Sequence, residues 1–286
     1  MKILTRILTT LLITVMGVGL QAQEKSGLLY KISGNGLEEP SFLFGTMHMI
    51  CEENYNQSGT LQAVMAQVDH VVMELDMDDP DLPSKMQQYA STESGEKVIE
   101  QLPQEKKDMI DSWFKLNYGL GLNELASRRP FAIYSLMAPK FMSCEQLKSL
   151  EVEIVSYARA NQVEISGLET FEEQISIFEE IPEDEQISWI LQMINNEKFY
   201  ENEMSKMMEA YENGDLALLN EITINSPEFG EHLDIMLYDR NQNWIDKIKQ
   251  QSSKQSTLFA VGAGHLGGEK GVITLLREQG YEIEGI

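Results

Sequence analysis

The alternation of apolar and polar positions divides the chain into a strand-forming start, a long helical middle and a strand-forming end. Gly27 to Ser33, with Leu28, Leu29, Tyr30 and Ile32, predicts a first strand, and Asn35-Gly36 marks a turn before a second, Ser41 to Phe44. Leu61, Val64, Met65 and Val68 recur at helical spacing and predict a helix over 58–68. A third strand, Val71-Val72-Met73-Glu74-Leu75-Asp76, closes at the Asp/Pro-rich stretch 78–83. From Ser84 to about Ser253 the pattern predicts helices near 84–90, 104–117, 121–126, 131–142, 147–160, 171–179, 183–211, 215–222 and 228–251. Pro103, Pro130, Pro182 and Pro227 fall near their starts, where a missing N–H costs little. One strand, Val163 to Ser166, interrupts this block and leads into Gly167-Leu168-Glu169-Thr170. The end returns to a strand over 257–261, a helix over roughly 269–279, Gly280, and a final strand from Tyr281 to Ile286.

This order predicts an α/β (α+β) fold: a central mixed sheet built from N- and C-terminal strands, with a helical insertion over about 84–253 forming a lid or wall. Residues 23–286 read as a single domain without a short repeat or a flexible linker. Residues 1–22 read as a secretory signal. Lys2 and Arg6 supply the positive region, Ile7 to Leu20 the apolar stretch, and Ala22 or Gln23 the cleavage point. An uncleaved anchor is the alternative, and no later stretch approaches membrane-spanning length.

Composition narrows the partners. The apolar fraction of 42% is that of a globular protein, while the formal net charge of −24 argues against nucleic acid and anionic membranes. Loss of Lys2 and Arg6 with the signal would take it from −24 to −26. In an exported chain, periplasmic or extracellular, Cys51 and Cys144 either form a disulfide or stand as two buried thiols.

The candidate chemistry begins with two matching segments, Gly45-Thr46-Met47-His48 and Gly262-Ala263-Gly264-His265, each following an apolar run. The chain has four histidines, and two of them share this context, so the pair reads as halves of one site. The glycines would permit close backbone approach or a positive φ. Glu74 and Asp76, at i and i+2, would project from one face of their strand, and carboxylates beside imidazole suit Zn²⁺, Mn²⁺ or Fe²⁺. Glu169 ends a strand after a glycine, while Thr170 and Glu173 form a capping box that opens the next helix. On the helix over 228–251, Leu233, Leu237, Trp244 and Ile248 form an apolar stripe that includes Arg240 and Asn241. A guanidinium on that face either stabilises an oxyanion or holds one of the acids. There is no Gly-x-Ser-x-Gly elbow, phosphate loop, His-Glu-x-x-His or cysteine cluster, and His70 and His232 read as structural.

Across nearly its whole length after the signal, the chain resembles the TraB/PrgY/GumN family, which includes the TIKI proteases. The carrying residues are Phe44-Gly45-Thr46-Met47-His48, Met73-Glu74-Leu75-Asp76, Gly167-Leu168-Glu169-Thr170 with Glu173-Gln174, Asp239-Arg240-Asn241, and Val261 to Gly268. The resemblance implies a fold related to the erythromycin esterase and ChaN-like group, and a metal-dependent hydrolase activated by Mn²⁺ or Co²⁺. In that reading His48, Glu74 and His265 hold the ion, Glu169 or Asp76 is the general base, and Arg240 stabilises the oxyanion on a peptide or protein substrate. Two alternatives use the same pocket: a non-enzymatic protein binding haem, metal or peptide, and a metal-free esterase-like hydrolase with His48 as base.

Overall fold

The computed structural model describes residues 27–55, 59–91 and 98–286, so the expected signal over 1–22 lies outside the described residues. Its centre is a mixed sheet of β1 (Leu29–Gly34), β2 (Ser41–Thr46), β4 (His70–Leu75), β6 (Glu164–Glu169), β7 (Thr257–Gly262) and β8 (Tyr281–Gly285). They run in the order β6-β4-β7-β2-β1-β8. Neighbours among β6, β4, β7 and β2 are parallel, whereas β1 runs antiparallel to both β2 and β8. The N- and C-terminal strands therefore interleave, as the sequence pattern predicts. A short pair, β3 (Ile50–Cys51) with β5 (Leu147–Lys148), stands apart from the sheet.

Both faces of the parallel strands are covered, which is why these strands read as nearly continuous apolar runs. On one face Val71, Met73, Leu258 and Ala260 pack against Leu61, Val64 and Met65 of the helix Gly59–Met65 and Ile154, Val155 and Ala158 of the helix Leu150–Asn161. On the other, Leu43, Val72, Phe259 and Val261 meet Trp244, Ile245 and Ile248 of the helix Asp239–Ser252, together with Val272, Ile273 and Leu276 of Val272–Glu278. A second core is purely helical. The helices Gln104–Tyr118, Pro130–Met137, Glu183–Asn195 and Glu197–Glu212 meet through Trp113, Phe114, Ile133, Ile190 and Tyr200.

The expected insertion is thus less uniform than its sequence pattern. Within it β6 and the helices Leu150–Asn161 and Asp239–Ser252 belong to the sheet layers, and the remaining helices build the wall. The helix expected over 183–211 breaks at Asn196, whose φ of −128° and ψ of 37° leave the helical region. The segment 147–160 begins as β5, and Ser149 then caps the helix by accepting from the Val152 N–H. The segment 228–251 enters through a 3₁₀ turn and a π-helical turn, Asp234–Tyr238, before becoming α-helical at Asp239.

Cys51 and Cys144 form a disulfide, with their Cα atoms 5.9 Å apart. It ties the loop that follows the first Gly-x-x-His to the segment leading into the helix Leu150–Asn161. None of the described helices is long and apolar enough to cross a membrane.

Candidate functional site

Four parallel strands deliver their C-terminal ends to one edge of the sheet, and every principal candidate sits there. Glu74 lies at the end of β4, Glu169 ends β6, and the two Gly-x-x-His segments leave β2 and β7. The motifs are neighbours in register, with Gly45 opposite Val261 and Thr46 opposite Gly262. Side chains placed beyond the carboxyl ends of parallel strands form the usual ligand crevice of such sheets.

The glycines serve close approach. A Cβ on Gly45 would stand 2.8 Å from Leu266 Cδ1 and 3.1 Å from Ala263, so a side chain there would push the two motifs apart. A Cβ on Gly262 would stand 3.2 Å from Glu74 Oε1. Neither Gly45, Gly262 nor Gly264 has a positive φ, so the second property open to glycine is not used at these motifs.

Arg240 organises the acids. Its Nε donates to Glu169 Oε1 at 3.0 Å and Oε2 at 3.2 Å, and Nη2 donates to Glu169 Oε2 at 2.8 Å and Glu74 Oε2 at 2.7 Å. The remaining arm, Nη1, donates to the Met236 carbonyl at 3.3 Å and lies 3.2 Å from His265 Nε2. The guanidinium stands over the Trp244 ring, and the Trp244 indole N–H donates to Glu169 Oε1 at 2.9 Å. These hydrogen bonds match one of the two roles open to Arg240, the holding of acidic residues. Glu169, with both oxygens engaged, anchors Arg240. Its neighbour Thr170 caps the helix Phe171–Glu180 in the expected box with Glu173.

Glu74, with its side chain 13% exposed, is held in the ionised form. Burial alone would raise its pKa, but Arg240 foremost, then His265, His48 and the Gly262 N–H donating to Oε1 at 2.8 Å, hold it well below the carboxylate range.

His265 is fixed in one tautomer. Asn241, fully buried, donates through its amide nitrogen to the Lys270 carbonyl at 2.9 Å, which turns its oxygen to His265 Nδ1 at 2.6 Å. That nitrogen must carry the proton, leaving the Nε2 lone pair toward Arg240 and Glu74. Burial pushes its pKa down to about 3, with Arg240 assisting against Glu74, so the ring is neutral.

His48 is different. Its side chain is 75% exposed, and Nδ1 lies 2.8 Å from Glu151 Oε1 on the helix Leu150–Asn161. The bond to that carboxylate pushes the pKa up, so His48 is protonated at neutral pH. Glu151 also accepts from the Ser149 hydroxyl at 2.9 Å.

Asp76 falls outside this arrangement. β4 ends at Leu75, so the i, i+2 face expected to carry it beside Glu74 is lost; its carboxylate instead accepts the Asp78 N–H at 3.0 Å. It lines a separate depression with Asp79, Lys85 and Lys247. His48, Glu74, Arg240 and His265 all line one cavity of about 420 Å³, whose remaining wall is largely aromatic and methionine side chains such as Phe131, Tyr134, Trp189 and Met204.

Glu151 has no role in the sequence reading, Trp244 appears there only on the apolar stripe, and Asn241 only as inward-facing and as part of the Asp239-Arg240-Asn241 motif. Asn241 had a signal in its place on the apolar stripe. Glu151 had none, since an acid in a first helical turn has an ordinary explanation in the helix dipole.

The donors suit a divalent ion in kind. Each motif imidazole has Nδ1 tied to a partner, Asn241 or Glu151, so Nε2 is the nitrogen that could face an ion; at His265 it faces Arg240 Nη1 at 3.2 Å, and Glu74 supplies an ionised oxygen. Glu74 Oε1 and His265 Nε2 stand 4.0 Å apart. Among the described residues no three His, Cys, Asp or Glu side chains converge into a ligand cluster.

The model of the TraB/PrgY/gumN family matches residues 28–285, and the chain belongs to that family. A 52-residue stretch, 17% of this chain, is 38% identical to the zebrafish (Danio rerio) protein named Metalloprotease TIKI2. The chain spans only 10% of that relative's length. No solved structure matches.

Proposed function

We propose that this chain is an exported metal-dependent hydrolase, most closely a peptidase of TIKI type, with His48, Glu74 and His265 as its metal-holding residues. The observation that carries this reading is that both motif histidines have Nδ1 tied to an outer partner and line one cavity with a carboxylate kept ionised. A divalent ion held there would polarise a scissile carbonyl and lower the pKa of a bound water.

The chain's own residues have separable tasks. Asn241 keeps Nε2 of His265 unprotonated, and Glu151 orients the His48 ring. To hold an ion, His48 would have to give up the Nε2 proton that Glu151 helps it retain. Arg240 keeps Glu74 ionised and in place; its charge is shared between two carboxylates, which argues against a primary oxyanion role. Glu169 is a positioning residue, because Arg240 and Trp244 occupy the oxygens a general base would need. The apolar wall supports an organic substrate with bulky side chains.

The test is cleavage of a peptide library, followed by mass spectrometry, with chelator-stripped protein and with Mn²⁺, Co²⁺, Zn²⁺ or Fe²⁺ restored. The expected result is metal-restored cleavage that disappears in His265→Ala while the thermal transition persists. Full activity in His48→Ala would overturn the mechanism, and metal binding without cleavage would favour a binding protein.

A further inference from the structure

The wall of the cavity contains a carboxylate that the proposed chemistry does not use. Glu228, in the segment between the helix Leu216–Ile224 and the 3₁₀ turn at Gly230, is 9% exposed and lines the cavity with Ser226 and Pro227. The Ser226 hydroxyl donates to it, and the hydroxyls of Tyr134 and Tyr200 hydrogen-bond to it from the helices Pro130–Met137 and Glu197–Glu212. Burial first, and then the Glu228 charge, push both phenols up in pKa, so they stay protonated donors. Among the described residues no Lys, Arg or His forms an ion pair with Glu228.

The other acids of the cavity are answered. Glu74 has Arg240, and Glu203 has Lys206 at 2.6 Å. A buried carboxylate met only by neutral hydroxyls is best completed by a cation. Its surroundings suit one: Tyr134 and Trp189 meet edge to face with centroids 5.8 Å apart, and Tyr200 adds a third ring to the lining. The net charge of −24 would draw cationic molecules toward this surface.

We infer that the cavity recognises a substrate through a positively charged ammonium group, with Glu228 as its acceptor and the aromatic wall receiving the apolar chain that bears it. This deepens the hydrolase reading and rests on the cavity being its substrate pocket. The ammonium would be a peptide's amino terminus or a lysine side chain, two sources of one chemistry. The structure therefore assigns Glu228 to specificity, with no part in bond cleavage.

Binding separates this inference from the hydrolysis claim. 4-Phenylbutylamine and its neutral analogue 4-phenylbutanol are titrated calorimetrically into the full protein in chelator, so that the amine cannot act as a metal ligand. Wild type should bind the amine at least tenfold more tightly than the alcohol. Glu228→Gln, which keeps the hydrogen bonds but removes the charge, should bring the ratio to about one, whereas Glu203→Gln should leave it unchanged. Equal binding of the probes to wild type, no binding of either, or an undiminished ratio in a folded Glu228→Gln protein would overturn the proposal. Should Glu228→Gln not fold, the wild-type ratio still decides. In cleaved peptides, acetylating the amino terminus and replacing lysine by norleucine tell the two sources apart. An amine preference without any peptide cleavage would sink the hydrolase and leave this site standing; cleavage without an amine preference would do the reverse.

Discussion

Removing Arg240 should expose the electrostatic logic of the site as a stability loss that depends on pH. One guanidinium holds two carboxylates, and the side chains of Arg240, Glu74 and Glu169 are 12%, 13% and 8% exposed. In Arg240→Ala both acids would remain in their buried positions without a cation. Breaking a buried pair by deleting one partner costs about 3–5 kcal/mol. In a domain of this size that corresponds to a fall in Tm on the order of 8 °C. The pH dependence is the more discriminating part. In wild type, Glu74 has a depressed pKa and stays ionised down to strong acid, so its contribution is present above the unfolded value near 4.5 and lost only as pH falls through the folded value. In the variant the largest influence opposing burial at Glu74 is gone and its pKa rises above the wild-type value, so protonation relieves the penalty as pH falls. Urea unfolding in chelator at pH 7.5 and 5.0 should therefore give a large deficit for Arg240→Ala at the higher pH and a smaller one at the lower. Arg240→Lys, which keeps the charge but not the fork, should lie between. A deficit below about 1 kcal/mol, typical of an exposed pair, or one unchanged between the two pH values, would show that Arg240 does not hold buried charged carboxylates.

Three further outcomes follow from the same geometry. Asn241→Leu removes the acceptor that fixes the His265 tautomer and should lower metal affinity or activity by about 10–100-fold, measured by Co²⁺ titration alongside thermal unfolding. Replacing Cys51 and Cys144 by serine opens a link across a sequence separation of 93 residues and should cost about 2–5 kcal/mol in urea; reductant should lower wild type to the same midpoint and leave the variant unchanged. Acid should destabilise the metal-free protein. His70 and His265 are both pushed down in pKa, chiefly by burial, so the unfolded chain binds protons first; below about pH 6 stability should fall by up to about 1.4 kcal/mol per pH unit for each group, as read from urea midpoints. A midpoint flat between pH 7 and 5 would contradict the buried neutral rings.

Much of this arrangement was legible in the chain because it rests on local patterns. The apolar runs before Gly45 and Gly262 are core strands covered on both faces, and the glycine-to-histidine spacing marks their C-terminal ends. Arg240 could be found because a guanidinium on an apolar stripe needs a buried partner, although which partner depended on the tertiary fold. Features set by packing alone were less visible. Asp76 reads as part of a strand, but β4 ends one residue earlier and the chain turns away. The short pair β3–β5 has too few residues for periodicity to detect, and helical spacing runs unbroken through Asn196, where the backbone breaks. Glu151 and Glu228 look like ordinary surface acids in a very acidic chain, and only three-dimensional proximity joins them to His48, Tyr134 and Tyr200.

The most direct test of the central claim is Co²⁺ binding to the chelator-stripped chain, followed through the visible absorption of the bound ion. One ion per chain is expected in wild type, with proton release on binding, and loss of that spectrum in both His48→Ala and His265→Ala while each variant stays folded. No stoichiometric uptake by wild type, or an unchanged spectrum in either variant, would contradict the assignment of the two motif histidines to one metal site.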